Sequence, residues 1–184
     1  MDSPITHVLF DMDGLLLDTE SHYTVAQQQI CAAHGCEFTW ELKARMMGQK
    51  ALDAARLLVA ELCLPLTPEA FLEQREAALD ALFPTAALMP GAERLVRHLA
   101  AHGVPCCVAT SSHRRHFELK TAAHRELFGL MCHITTGDAV TRGKPAPDIF
   151  VAAAARWAPS PDPSICLVFE DAPAGVAAAA AAGM

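Results

Sequence analysis

Residues 5–20 read ITHVLFDMDGLLLDTE. A mainly apolar run from Ile5 to Phe10 passes straight into Asp11-Met12-Asp13-Gly14. A run that is continuous rather than alternating is the pattern of a strand buried on both faces of a parallel sheet. Two further runs repeat it, Val104 to Ala109 and Ile165 to Phe169, and a weaker fourth lies at His133 to Thr136. Helical stretches fall between them. Gly91–His102 sets Leu95, Val96 and Leu99 on one face, Arg114–Leu130 is longer, and Pro147–Trp157 opens on a proline. Strand and helix in alternation predict a doubly wound, Rossmann-like α/β core with a parallel sheet.

One segment breaks that rhythm. From Thr19 to Phe83 no strand-like run occurs, but four amphipathic patterns do: Glu20–His34, Trp40–Met46, Ala51–Leu62 and Pro68–Phe83. That is too much helix for one crossover. The expected organisation is a discontinuous core of residues 1–18 and 84–184, with a helical cap, 19–83, inserted after the first strand. The cap rejoins the core through Pro84 to Pro90. Ala158–Ser164, with its prolines, reads as a surface loop, and the alanines from 177 to 182 as a plain core helix.

Composition narrows the function classes. The chain has 184 residues, 52% of them hydrophobic and 19% charged, with a formal net charge of −7. The acidic balance argues against a nucleic acid polymer or an anionic membrane as partner, since both need a basic footprint. No apolar run reaches the roughly 18–20 residues of a membrane span, and the N-terminal stretch lacks signal-peptide character, so the expected compartment is cytoplasmic. The seven cysteines are odd in number and irregular in spacing, with no zinc-ligand pair. They read as reduced thiols.

Ligands of an open parallel sheet bind beyond the carboxyl ends of its strands, and that is where the polar motifs fall. Asp11 and Asp13 could bind a metal, share a proton, or divide acid and nucleophile roles; a solvated turn and a sugar-nucleotide transferase DxD are the alternatives. An EF-hand is excluded because no alternation of oxygen ligands continues. Thr110-Ser111-Ser112 suits a phosphoryl group or a plain helix cap. Lys144, between Gly143 and Pro145, is either a fixed point charge or a surface lysine, and its loop is not a nucleotide-binding GxxxxGK[ST]. Glu170 and Asp171 could complete a magnesium site with the first acids, although Asp171 alone could simply begin a helix. Together these residues share one edge of one sheet, for which coincidence is the poorer account. His98 and His102 lack the glutamate of a metalloprotease helix and read as surface residues. The basic stretch from His113 to Arg125, which includes Lys120, reads as a solvated helix face, or as a patch that steers a phosphorylated substrate.

The ordered set DMDGLLLDTE, ATSS, GKPAPDIF and FEDAPAGV resembles the four motifs of the haloacid dehalogenase superfamily. The resemblance covers nearly the whole chain, and a helical cap after the first strand is the arrangement of the beta-phosphoglucomutase-like branch. The phrases FDMDGLLLDTE, FPTAALMPGAE, TRGKPAPDIF and LVFEDAP are most similar to pseudouridine-5'-phosphatases and plant glycerol-3-phosphatases. The resemblance implies that Asp11 is a nucleophile forming an aspartyl-phosphate. It implies that Asp13 protonates the leaving group and then takes a proton from water, which calls for neighbours that raise its pKa. An acid at that place favours a phosphohydrolase or phosphomutase over the haloacid dehalogenases proper.

By the same resemblance Thr110 and Ser111 bind phosphoryl oxygens and Lys144 neutralises charge beside the nucleophile. The resemblance also implies Mg²⁺, held by Asp11, the Asp13 carbonyl and Asp171, with Glu170 coordinating or just behind. It further implies that Thr19 and Pro90 lie near the two hinges of the cap, and that Gly48 and Lys50 belong to a cap loop that sets specificity. The expected protein is a monomeric, Mg²⁺-dependent phosphomonoesterase acting on a small phosphorylated metabolite, pseudouridine 5'-phosphate first. A glycerol-3-phosphatase, a sugar phosphomutase and an inactive binding form are the alternatives. Similar proteins continue beyond the position of Met184 with another strand and helix, so a truncated core with Ile165–Phe169 at a sheet edge is also expected.

Overall fold

The structure, a computed structural model, describes residues 4–46 and 51–184. Gly48 and Lys50 therefore lie outside the described residues. The four apolar runs form strands β1 (His7–Phe10), β2 (Cys106–Ala109), β3 (His133–Thr135) and β4 (Cys166–Phe169). They make one parallel sheet in the order β3-β2-β1-β4, with Leu9 opposite both Cys107 and Val168. The chain runs from β1 outward to β2 and β3, then crosses back to β4 on the other side of β1. The carboxyl end of β1 is thus a topological switch point, where the flanking connections diverge and leave a crevice.

By contact the chain divides into two compact units, residues 1–19 with 84–184 and residues 20–83. Among its described residues the second forms the helices α1 (Glu20–Ala33), α2 (Trp40–Met46), α3 (Ala51–Glu61) and α4 (Pro68–Leu82). Its own core contains Ile30, Cys31, Leu42, Leu58 and Phe71. Thr67 caps α4, its hydroxyl accepting from the Ala70 amide at 3.1 Å, and Pro68 takes the first turn, where a missing N–H costs nothing.

In the first unit, helices α5 (Ala92–Ala101), α6 (Arg114–Lys120), α7 (Arg125–Phe128), α8 (Asp148–Ala154) and α9 (Pro173–Ala181) cover the sheet. Alternate strand residues serve opposite faces. Val8, Phe10 and Val108 pack with Val96, Phe117 and Phe128, whereas Leu9, Cys107 and Ala109 pack with Ile149, Phe150 and Ala178. All seven cysteines are unpaired.

Two details differ from the sequence reading. The single helix expected over 114–130 breaks at Thr121. There the Thr121 hydroxyl donates to the Phe117 carbonyl at 2.8 Å and a 3-10 turn, Ala122–His124, follows. That turn carries the His124 ring to the Ala86 carbonyl, 2.7 Å away. Strand β4 lies at the sheet edge expected for Ile165–Phe169, pairing with β1 alone among the described residues, but it is not buried on both faces as its apolar run predicts, since Leu167 is 40% exposed. No helix among the described residues is long and apolar enough to cross a membrane.

Candidate active site

Asp11 follows β1 directly, and its amide donates to the Phe169 carbonyl at 3.0 Å, so the sheet ladder itself fixes its position. Its carboxylate is buried, and Oδ1 lies 2.5 Å from Nζ of Lys144. The same ammonium reaches Oε1 of Glu170, also at 2.5 Å. Lys144 comes from the loop between β3 and α8, which Arg142 pins by two hydrogen bonds to Asp148, 3.0 and 2.7 Å long. A buried lysine shared by two carboxylates is a fixed charge, so the surface alternative for Lys144 is discarded.

Glu170 and Asp171 follow β4. The Glu170 carboxylate accepts from the Ala172 amide at 2.9 Å and lies over Gly175, where a β-carbon would occupy the carboxylate's own space. Gly14 has φ +80°, a left-handed conformation that side chains resist, and the Asp171 carboxylate approaches its bare α-carbon in the same way. The two glycines, one in each acidic motif, thus let the acids close in. Asp11, Glu170 and Asp171 each offer an oxygen within 4.8 Å of the others.

The balance of charge there is negative. Burial pushes the Asp11 carboxyl from its ordinary 3.8 up to about 7, against the pull of Lys144 and with help from Glu170 and Asp13. Burial also raises Asp171. Burial alone would lower Lys144, but Asp11 and Glu170 outweigh it and hold the ammonium charged. Three hard oxygen donors with surplus negative charge are the donor set a small divalent cation such as Mg²⁺ takes. These residues fit that ion.

Asp13 lies in a separate set of contacts. Oδ1 accepts from the Thr19 hydroxyl at 2.7 Å and from Nζ of Lys120 at 2.6 Å. Oδ2 accepts from the Ser112 hydroxyl at 2.7 Å and, more distantly, from Thr110 at 3.4 Å. Burial would raise this carboxyl, but the Lys120 ammonium and the hydrogen bonds from Lys120, Thr19 and Ser112 prevail and hold it below the ordinary carboxylate range. The sign is opposite to the expectation that its neighbours raise it. Thr19, expected beside a hinge, is fully buried against this acid.

Of the hydroxyls after β2, Thr110 is enclosed and accepts from the Ser112 amide at 3.0 Å. Ser111 instead lines a hollow of about 180 Å³ with Gly137, Gly143 and Lys144. Gly137 has no room for a β-carbon beside the Ser111 carbonyl.

Lys120 was missed as a site residue. Its side chain is 0% exposed, so a solvated helix face is the wrong reading for that part of the basic stretch. The signal was present in the spacing: His116, Phe117 and Lys120 are the buried residues of α6, one stripe at i, i+1 and i+4. A lysine on an apolar stripe needs a buried partner. His98 and His102 have ring centroids 4.2 Å apart, tilted by 38°, and belong to no cluster of three potential ligands among the described residues.

The sequence matches the family described as haloacid dehalogenase-like hydrolase over residues 5–183. It is 57% identical to "(DL)-glycerol-3-phosphatase 1, mitochondrial" of Arabidopsis thaliana, over 98% of this chain and 62% of that protein. It is 51% identical to "Probable pseudouridine-5'-phosphatase" of Drosophila melanogaster, over 98% of this chain and 79% of the relative. The fold superimposes on a HAD family hydrolase from Deinococcus radiodurans with bound phosphate and sodium, with a TM-score of 0.83 and 31% identity. That superposition covers 99% of this chain and 79% of the other. The chain thus spans under two thirds of the Arabidopsis relative's length and about four fifths of the others.

Proposed function

This chain belongs to the haloacid dehalogenase-like hydrolase family, and we propose that it is a Mg²⁺-dependent phosphomonoesterase of small phosphorylated metabolites. The observation that supports this most is Lys144, held 2.5 Å from both Asp11 and Glu170 with Asp171 in the same group of acids.

In this reading a carboxylate oxygen of Asp11 attacks phosphorus. The bond between phosphorus and the substrate oxygen breaks, and Asp13 is assigned to give that oxygen a proton, one that it must first take from solvent against the Lys120 ammonium that favours its carboxylate. Water then attacks the aspartyl-phosphate and passes a proton back to Asp13, releasing phosphate and restoring Asp11. Lys144 orients Asp11 and draws charge from the incoming phosphoryl group, while Thr110 and Ser111, at the end of β2, offer hydrogen bonds to its oxygens. Asp11, Glu170 and Asp171 would hold Mg²⁺, with the Asp13 carbonyl as a further ligand. When bound, the ion offsets repulsion between the nucleophile and a phosphate dianion. This reading assigns to the helical unit, residues 20–83, the part of a cap that excludes competing water.

Pseudouridine 5'-phosphate remains the first substrate to try, and the identity to the Drosophila relative supports it. Glycerol 3-phosphate is a second reading, favoured by 57% and 56% identity to the two Arabidopsis glycerol-3-phosphatases. Partners other than a small metabolite form no part of this reading. The test is phosphate release from both compounds, uridine 5'-phosphate and beta-glucose 1-phosphate, with and without Mg²⁺. Release that needs Mg²⁺ and disappears in Asp11→Asn is the expected result. No release from any of the four, or release unchanged in Asp11→Asn, would refute the assignment.

A further inference from the structure

The helical unit, residues 20–83, has a hollow of its own, about 330 Å³ in volume and walled by residues of α1, α2, α3 and α4. Its charges are already matched. Nζ of Lys43 donates to the Thr24 hydroxyl at 2.7 Å with Glu20 4.0 Å away, and Nη2 of Arg75 donates to Glu76 at 3.2 Å. An anionic ligand would meet no uncompensated cation there. What lacks a match is hydrogen-bonding capacity. Gln27 is 7% exposed, and its Nε2 donates to the Tyr23 carbonyl at 3.1 Å. Its Oε1 is buried and finds no donor among the described residues. Nε of Arg75 is likewise buried and finds no acceptor among them, although the guanidinium is held 5.8 Å from the centre of the Tyr23 ring.

Polar groups shut away from water without partners cost the fold free energy, which a ligand bringing the complementary groups recovers. Gln27 calls for a donor and Arg75 for an acceptor. An N–H beside a C=O, the edge of a lactam or imide, supplies both. Phe38, Met46 and Ala54 make much of the remaining wall apolar, so the group carrying that edge needs apolar faces. A flat pyrimidinedione ring is neutral, has an N–H next to a carbonyl, and presents two apolar faces. Glycerol, hydroxylated along its whole length, has no face for such a wall. The volume suits a small organic ligand, and a few polar groups in an apolar lining are the usual makeup of a ligand site.

We infer that this hollow is a binding site for a uracil ring, with Gln27 Oε1 accepting from a ring N–H and Arg75 Nε donating to the neighbouring carbonyl oxygen. The choice of uracil among imide rings rests on the phosphomonoesterase reading, with pseudouridine 5'-phosphate as its first substrate. Two sources carry such a ring: the phosphorylated substrate, and the free nucleoside that its hydrolysis releases. The two residues lie in α1 and α4, outside the four motifs.

Calorimetric titration of the whole protein in chelator, with pseudouridine, ribose and glycerol as probes, tests the site without turnover. Wild type should bind pseudouridine and neither of the other two at the same concentrations. Gln27→Leu keeps the bulk of the side chain and removes the unpartnered acceptor; Arg75→Lys keeps the charge and removes Nε. Each should weaken pseudouridine binding about tenfold, the effect of one lost hydrogen bond. Arg75→Lys serves as the test should Gln27→Leu fail to fold. Phosphate release with Mg²⁺ then identifies the source. A ring carried by the substrate predicts that kcat/KM for pseudouridine 5'-phosphate falls about tenfold in both variants, with the value for glycerol 3-phosphate unchanged. Weakened binding with both values unchanged assigns the site to the free nucleoside. Pseudouridine unbound by wild type, bound as well by both variants, or equalled by ribose would overturn the uracil site. Wild type that binds pseudouridine but releases phosphate from neither compound would overturn the phosphomonoesterase reading and leave the site standing.

Discussion

Replacing the proposed nucleophile should stabilise the metal-free protein. Asp11 is buried beside Glu170 with Lys144 as the shared cation, and its carboxyl is pushed from 3.8 up to about 7. A group whose folded value is raised favours the fold at low pH. That contribution is complete below about pH 4, the unfolded value, and is lost as pH rises through about 7. Each tenfold change in proton affinity is worth about 1.4 kcal/mol. The ionised Asp11 therefore costs the metal-free fold about 4 kcal/mol at pH 8 and about 2 kcal/mol at pH 5.5.

Asn matches the neutral acid in shape and keeps an oxygen for Lys144, but it never ionises. Asp11→Asn should exceed wild type by those amounts in chelator. For a chain of this length that is a rise in Tm of roughly 10 °C at pH 8 and about half that at pH 5.5. Scanning calorimetry at the two pH values reads both. Saturating Mg²⁺ should then close the gap, because a ligand that binds only the folded state adds about 3 kcal/mol at a hundred times its Kd, and wild type has the fuller ligand set. An Asn variant no more stable than wild type at pH 8, or a gap that does not shrink at pH 5.5, would refute the argument from burial.

Lys144→Met should act in the reverse sense: it leaves Asp11 and Glu170 buried together without their cation, and urea unfolding in chelator at pH 8 should show a loss of about 3–5 kcal/mol. Gly175→Ala puts a methyl group where the Glu170 carboxylate sits, so calorimetric titration should show Mg²⁺ affinity weakened about 10- to 100-fold. Thr67→Ala removes the cap of α4 in the helical unit; it should cost about 1 kcal/mol in urea unfolding and leave phosphate release unchanged.

Much of this protein was legible along the chain. The strands after which Asp11, Thr110 and Glu170 follow announce themselves as short apolar runs, and in a parallel sheet their carboxyl ends share one edge. Local chemistry therefore sufficed to predict that Asp11, Glu170 and Asp171 gather at one place, and the glycines 14 and 175 that admit the acids sit in the same motifs. Lys120 was different. Its partner is 107 residues away, and a basic helix face looks the same in sequence whether its lysine meets water or a carboxylate. The break at Thr121 likewise depends on a histidine finding a carbonyl 38 residues back. The exposure of Leu167 follows from which strands lie beside β4. The sign of the Asp13 shift could not be read either, because it is the difference between burial and a charge brought in by folding. Which groups stand at the end of which strand could be read along the chain, since that follows from periodicity and turn chemistry over a few residues. Which charges neutralise one another emerged with folding, because Coulomb energy and desolvation depend on separation in space and not along the chain.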